Sequence, residues 1–393
     1  MMIRVMTTTP IAPTQTQQKT DLLALTLPQL QQWLKERGEA PFRAKQIFHW
    51  LYRQLVNDFA AMTNLPQALR QRLEEEACIG PMTIRSELHS KDDRTRKLLL
   101  ELTDGRLVES VLMLYPPLGE SSSRATVCVS SQAGCALGCT FCATGQMGFD
   151  RHLTPGEIVA QVLYFARELK ATPWSAIGLP GTVPIDHITN IVLMGMGEPM
   201  HNYDNVIQAL RILNSADGFN LGARHMTIST AGLIPGIHKL SQEGLQVNLA
   251  ISLHAPTNGL RSKTMPINRR YPIEQLIEAC KDYIAATGRQ VTFEYVLLSG
   301  VNDTDELAHQ LAELLAPFKQ LAHVNCIPVN ATSADYRTPG PEDIKRFRRI
   351  LFEHGISNSV RAERGDDIAA ACGQLRTRFE NRTQKATLPV IGQ

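Results

Sequence analysis

Apolar positions recur at helical spacing along the first part of the chain. A Thr26/Gln29 capping-box signature precedes the stripe Leu30, Trp33, Leu34. Ile47, Phe48, Leu51 and Leu55 form a second stripe, and Asn64-Leu65-Pro66 opens a third helix through Leu69 and Leu73. Residues 21–85 therefore read as a small helical domain. The pattern then becomes extended in KLLLELTDGRLVESVLML (97–114), two runs around Asp104-Gly105, which predicts a β-hairpin within a linker over 86–120.

From residue 121 to about 380 the texture is strand–helix alternation. Strands are predicted at 125–131, 190–197, 225–230, 247–255, 291–298 and 324–330. Amphipathic runs at 155–169, 205–214, 236–243, 273–287, 304–316 and 342–354 separate or follow them. Six strand–helix units indicate an α/β fold with a parallel sheet and right-handed crossovers, and six rather than eight indicate an open, partial (β/α)6 barrel. Functional groups are then expected at the C-terminal ends of the strands. Residues 171–188 read as a Pro/Gly-rich loop, residues 1–20 as a disordered lead-in and 381–393 as a flexible tail.

Composition narrows the setting. The chain is 43% hydrophobic and 20% charged, with no apolar run long enough to cross a bilayer, so no membrane association is expected. A net charge of +2 neither demands nor excludes a polyanion, whose binding surface would have to be local. Eight cysteines without an export signal indicate thiols in a reducing compartment, the cytoplasm. No coiled-coil pattern or long apolar strip calls for an obligate oligomer, so a monomer is expected.

The most informative cysteines are Cys135, Cys139 and Cys142, spaced Cys-x3-Cys-x2-Cys directly after the first barrel strand. Ala133, Gly134, Ala136 and Gly138 let the loop fold tightly enough for three thiolates to converge. Three ligands on an iron–sulfur cluster that prefers four leave one iron open to a substrate. A structural zinc site is the alternative, with His152 as the fourth ligand, although closed zinc sites usually pair their ligands. At the end of strand two, Gly195 and Gly197 of GMGEP permit close backbone approach, and Glu198 offers a carboxylate to an ammonium. This three-cysteine loop followed by GMGEP resembles the radical S-adenosylmethionine (SAM) superfamily, which implies a four-iron, four-sulfur cluster and SAM as cofactors.

Over residues 20–380 the chain further resembles the RlmN-type adenine methyltransferases. The similarity rests on TVCVSSQAGCALGCTFCATGQMGF (126–149), VLMGMGEPMHNYDNV (192–206), ISLHAP (251–256), PINRRYPIE (266–274), EYVLLSGVND (294–303) and VRAERGDDIAAACGQL (360–375). Such enzymes methylate carbon 2 of an adenosine in 23S ribosomal RNA, and some also act on transfer RNA. The resemblance implies two SAM molecules per turnover. Cys372 would take a methyl from one, and a radical derived from the other would activate it. The activated carbon would join the adenine as a protein–RNA crosslink, which Cys128 would resolve, leaving a Cys128–Cys372 disulfide for a reductant to reset. Glu109 would accept a proton from the adduct. An electron donor is also implied, and neither it nor the reductant is specified by the sequence. Cys78, Cys280 and Cys326 match no such role.

Polar groups at further strand ends, Ser229, the run Ser252-Leu253-His254, and Asn330, are candidates for holding SAM together with Gly197 and Glu198. Taken alone, Cys128 fits a buried core thiol, Cys372 a small packing residue and Glu109 a solvated charge. Candidate phosphate contacts are SKDDRTRK (90–97), Arg261 with Lys263, Arg269 with Arg270, and KRFRR (345–349). Three rival readings remain: a sister enzyme acting on carbon 8, an activase that installs a glycyl radical, and a zinc-bearing RNA-binding protein.

Overall fold

The computed structural model describes residues 19–117, 122–175, 184–330, 335–361 and 365–375. Residues 1–18 of the lead-in, the whole of the 381–393 tail and the centre of the 171–188 loop lie outside them.

Three helices open the chain: α1 (Leu27–Lys35), α2 (Phe42–His49) and α3 (Gln67–Glu76). Thr26 and Gln29 close a capping box at α1, which satisfies backbone donors that the first turn otherwise leaves open. Leu30, Leu34, Ile47, Phe48, Leu69 and Leu73 are buried together. The short pair Thr20–Asp21 and Ala77–Cys78 ties the two ends of this unit in parallel.

Ten strands then form one sheet. β1 (Thr83–His89), β2 (Thr95–Glu101) and β3 (Leu107–Tyr115) are antiparallel, and β3 pairs antiparallel with β4 (Arg124–Cys128). The Asp104-Gly105 hairpin is present, and its strands extend the barrel sheet. Beyond β4 the strands run parallel in the order β7 (Asn190–Leu193), β8 (Met226–Thr230), β9 (Asn248–Ser252), β10 (Val291–Leu297), β11 (Ala322–Pro328) and β12 (Ser357–Val360). A separate two-stranded ribbon, β5 (Gln132–Cys135) with β6 (Gly148–His152), carries the cysteine loop.

The crossovers are α4 (Pro155–Ala171), α5 (Tyr203–Asn214), α6 (Ile234–Gln242), α7 (Asn258–Thr264) with α8 (Ile273–Thr287), α9 (Asp305–Leu315) and α10 (Pro341–Glu353). Six strand–helix units followed by an edge strand make the partial barrel expected from the alternation. Apolar stripes such as Leu276, Cys280 and Tyr283 on α8 bury against the sheet, and strand ends are left to carry polar groups.

Candidate functional site

A cavity lies at the C-terminal ends of the parallel strands. Cys135, Cys139 and Cys142 line one side, and Gly197, Glu198, Ser229, Ser252, His254, Asn330 and Cys372 line the rest. Leu253 does not: its side chain is fully buried in the core, and only its backbone serves the site.

The cysteine loop is built for crowding. Gly134 has φ +75°, and a Cβ there would sit 2.1 Å from the Gly148 carbonyl oxygen of the facing strand. A Cβ on Gly145 would come within 3.0 Å of the Cys139 nitrogen. Burial is the largest cause raising all three thiols and pushes Cys135 up to about 12; Cys142 also raises Cys135 and Cys139. Cys135 is buried and Cys139 and Cys142 are partly so on one wall of the cavity, a trio of thiols that would suit an iron–sulfur cluster. Among the described residues no three His, Cys, Asp or Glu side chains close on one ion, and a cluster does not require that. His152 is on β6, with its Nδ1 3.0 Å from Gln132 Nε2 and its ring against His201, and it does not line the cavity.

Glu198 is 3% exposed and braces the cavity floor. Its Oε1 accepts from Met200 N at 3.0 Å and its Oε2 from Ala231 N at 2.8 Å, while its own N–H donates to Gln132 Oε1 at 2.8 Å. Burial pushes its carboxyl up to about 7. This carboxylate ties β7 to β8 as well as facing the cavity, which the sequence did not reveal.

His254 has φ +57° and accepts from Val296 N at Nδ1, 3.0 Å away. That bond assigns the ring proton to Nε2. Burial first, and Arg261 second, pull the ring down to about 3, so it is neutral at physiological pH. Phe141 packs edge-on against it with centroids 4.8 Å apart.

Arg261 is fully buried, so it is no phosphate contact. Its guanidinium donates to the carbonyls of Leu253 (3.1 Å), Ser252 (3.0 Å) and Ala231 (2.7 Å) and to Asn268 Oδ1 (3.1 Å). It gathers the ends of β8 and β9 beneath the cavity. Arg261→Met should cost on the order of 3–5 kcal/mol, because buried acceptors lose a charged partner. Denaturant unfolding measures that loss, and a variant within about 0.5 kcal/mol of wild type would contradict it.

Arg96 and Lys97 are also buried, which removes them from the candidate phosphate contacts; Lys91, Lys263, Arg269 and Arg270 are exposed. In the 345–349 run, Arg346 pairs with Asp305 and Asp343, and Arg349 with Glu353.

The segment carrying Cys372 is laid across the mouth. Asn330 Nδ2 donates to the Cys372 carbonyl at 3.3 Å, and Ala143 N, next to Cys142, donates to the Gly373 carbonyl at 2.8 Å. A second, smaller cavity adjoins the first and holds Cys128. The two share Met194, Ile327, Pro328, Asn330, Arg361 and Cys372. All eight cysteines are free thiols.

Arg361 was not singled out in the sequence. It follows β12, its backbone N–H donates to the Cys326 carbonyl at 2.9 Å, and its guanidinium nitrogens lie 3.6 Å from Met194 Sδ and 3.9 Å from Met113 Sδ. Cys372, the largest cause, raises it well above the usual arginine range, with Glu294 and Cys128 contributing. In return Arg361 opposes the burial and the Cys372 charge that push Cys128 up to about 12.

Glu109 lines neither cavity. It is 2% exposed on β3 and pairs with Lys97 at 3.1 Å. Registers Leu99↔Glu109 and Val111↔Cys128 put it on the same sheet face as Cys128.

Residues 20–79 match the family described as the ribosomal RNA large subunit methyltransferase N-terminal domain, and residues 183–312 match the radical SAM superfamily. The chain is 49% identical over 359 residues to a Geobacillus kaustophilus protein named "Probable dual-specificity RNA methyltransferase RlmN", covering 91% of this chain and 92% of that protein. A Nitrosopumilus maritimus protein named "Ribosomal RNA large subunit methyltransferase N" is 46% identical over 360 residues, covering 91% and 99%. A crystal structure of a radical SAM methyltransferase from Sphaerobacter thermophilus superposes with a TM-score of 0.84 at 49% identity, covering 91% of this chain and 99% of that one.

Proposed function

The chain belongs to the RlmN family of radical SAM RNA methyltransferases, and from that membership we propose that it methylates carbon 2 of an adenosine in 23S ribosomal RNA, and in transfer RNA, through a methyl carried on Cys372. The observation that carries the proposal is the placement of Cys128 and Cys372, two cysteines outside the cluster loop, around adjoining cavities that share Arg361 and Asn330. A radical SAM enzyme that only abstracted hydrogen would need neither thiol.

Cys135, Cys139 and Cys142 would hold the cluster, which would supply the electron for reductive cleavage of SAM. The remaining steps fall to this chain's own side chains. Gly197, Glu198, Ser229, Ser252, His254 and Asn330 line the cavity that would take SAM. Arg361 lines both cavities together with Cys372, whose sulfur is the atom that attacks a sulfonium methyl. The segment before Cys372 is held in place where Asp366 accepts from Gln374 Nε2 (2.9 Å) and Asp367 from Lys91 N (2.9 Å). Glu109 takes the proton released at the base while the adduct's unpaired electron passes back to the external electron carrier, and Cys128 attacks the Cys372 sulfur to free the product. The resulting disulfide is reset by an external reductant. No described helix is long and apolar enough to cross a membrane, and a cytoplasmic monomer acting on a flipped-out base is the setting that we propose.

Peptide mass spectrometry on anaerobically purified protein tests the carrier step. Residues 365–376, released by trypsin, should bear one methyl on Cys372 in a measurable fraction of molecules. Cys372 left unmodified after incubation with SAM would reduce the protein to a generic radical SAM enzyme. Mapping the methyl in product RNA to carbon 2 or carbon 8 decides the position.

A further inference from the structure

We propose that Lys97 is a positioning residue for methyl transfer to RNA, a single buried ammonium that holds Glu109 and the backbone carrying Cys372 in one register. The proposal rests on the reading in which Cys372 carries the methyl and Glu109 takes the proton.

Sheet register puts the parts on one face. Lys97 pairs with Val111, Leu99 with Glu109, and Val111 with Cys128. Directly opposed residues share a face, as do residues two apart on a strand. Lys97, Glu109 and Cys128 therefore project from the same side of three neighbouring strands. The segment 365–375 is packed onto β2 and the turn before it: Lys91 N donates to Asp367 Oδ2 at 2.9 Å, and a Cβ on Gly365 would sit 2.7 Å from Thr95 Cγ2.

Lys97 makes both connections itself. Its Nζ lies 3.1 Å from Glu109 Oε1 and 3.0 Å from the Ala369 carbonyl oxygen, three residues before Cys372. Ala369 has φ +50°, a left-handed conformation that alanine adopts only when its surroundings impose it. The Lys97 bond to its carbonyl helps to fix that turn. The Lys97 side chain is 7% exposed and that of Glu109 is 2%. A buried ion pair is a poor stabiliser compared with well-packed apolar side chains of similar size. Stability alone therefore gives little reason for a lysine here, whereas a need to space two reacting groups does. Transfer from Cys372 requires its carbon and the proton acceptor to reach one base together. A misplacement of about 1 Å in such a geometry costs about a hundredfold in rate.

The test compares Lys97→Met, Lys97→Arg and Glu109→Gln holoenzymes. Iron and sulfide content, melting temperature, the end point of Cys372 methylation and Kd for a 23S ribosomal RNA fragment are measured first. The single-turnover rate of premethylated enzyme on saturating fragment follows. Lys97→Met should keep cluster content, the Cys372 end point and Kd within about twofold of wild type, while its single-turnover rate falls about ten- to a hundredfold. Lys97→Arg, which keeps the charge, should recover to within about fivefold. A Lys97→Met rate within about twofold of wild type beside an impaired Glu109→Gln would overturn the role of Lys97 and leave that of Glu109 standing. Full activity in Glu109→Gln would overturn both. Loss of cluster and Cys372 methylation in both lysine variants would make Lys97 merely structural.

Discussion

Replacing Cys372 with alanine will abolish RNA methylation, by at least about a thousandfold, and leave the fold and the iron–sulfur content intact. The size of the effect follows from the chemistry. Carbon 2 of adenine is an electron-poor sp² carbon that does not attack a sulfonium methyl, so the methyl must first reside on a protein nucleophile. A cysteine sulfur can serve, and a cation stands beside it: the Arg361 guanidinium lies between Met194 and Met113 and lines both cavities with Cys372. Cys372→Ser should be equally inactive, because a hydroxyl with no base is not a nucleophile at neutral pH. The fold should not notice alanine, since Cys372 is only partly buried and follows three alanines. Methyl incorporation into RNA, with iron and sulfide measured on the same preparation, separates the outcomes. An active Cys372→Ala enzyme with a full cluster would remove the carrier mechanism.

How much of this was legible in the sequence varied with the physics of each part. The barrel strands were visible because they are buried on both faces and read as apolar runs; on β10, Phe293 and Tyr295 on one face and Glu294 and Val296 on the other are all buried. Edge strands lack that signal. β12 reads Ser-Asn-Ser-Val and β1 is mostly exposed, so neither was expected, although pairing with one neighbour suffices to form them. The cysteine loop was legible because ligand spacing is local. Side chains whose partners are distant in sequence were not: Arg261 and Lys97 looked like surface charges within basic runs, yet they bond carbonyls at Ala231 and Ala369. Leu253 was grouped with its polar neighbours, but alternation along the strand turns it into the core. Arg361 could have been suspected from its place in the same run, 360–375, as Cys372, but only the return of that segment across the sheet brings it to both thiols.

Cys128→Ala should produce the complementary phenotype, a protein that reacts once and stays attached to its RNA. Cys128 is 6% exposed, lies in the smaller cavity beside Cys372, and has no part in the cluster loop. In the proposed resolution the Cys128 sulfur attacks the Cys372 sulfur. An S–S bond forms, the bond from Cys372 to the base-borne carbon breaks, and its electron pair takes a proton to complete the methyl group. Alanine removes the attacking atom, and the free thiols Cys280 and Cys326 are buried in the core and line neither cavity, so neither can substitute. Protein purified from cells and digested with nuclease should then carry a residual nucleotide on the 365–376 peptide, and the double variant with Cys372→Ala should carry none. Unshifted mass for Cys128→Ala would end the resolving role. Wild-type kinetics give an independent check. Burial pushes the Cys128 thiol up to about 12, so only a small fraction is thiolate at neutral pH. Where resolution limits turnover, its rate should climb about tenfold per pH unit between pH 7 and 9, since each unit multiplies the thiolate fraction tenfold below the pKa. A flat profile would mean that Arg361 has already drawn the proton off Cys128 in the adduct, or that another step is slow; trapping the adduct against time at two pH values distinguishes them.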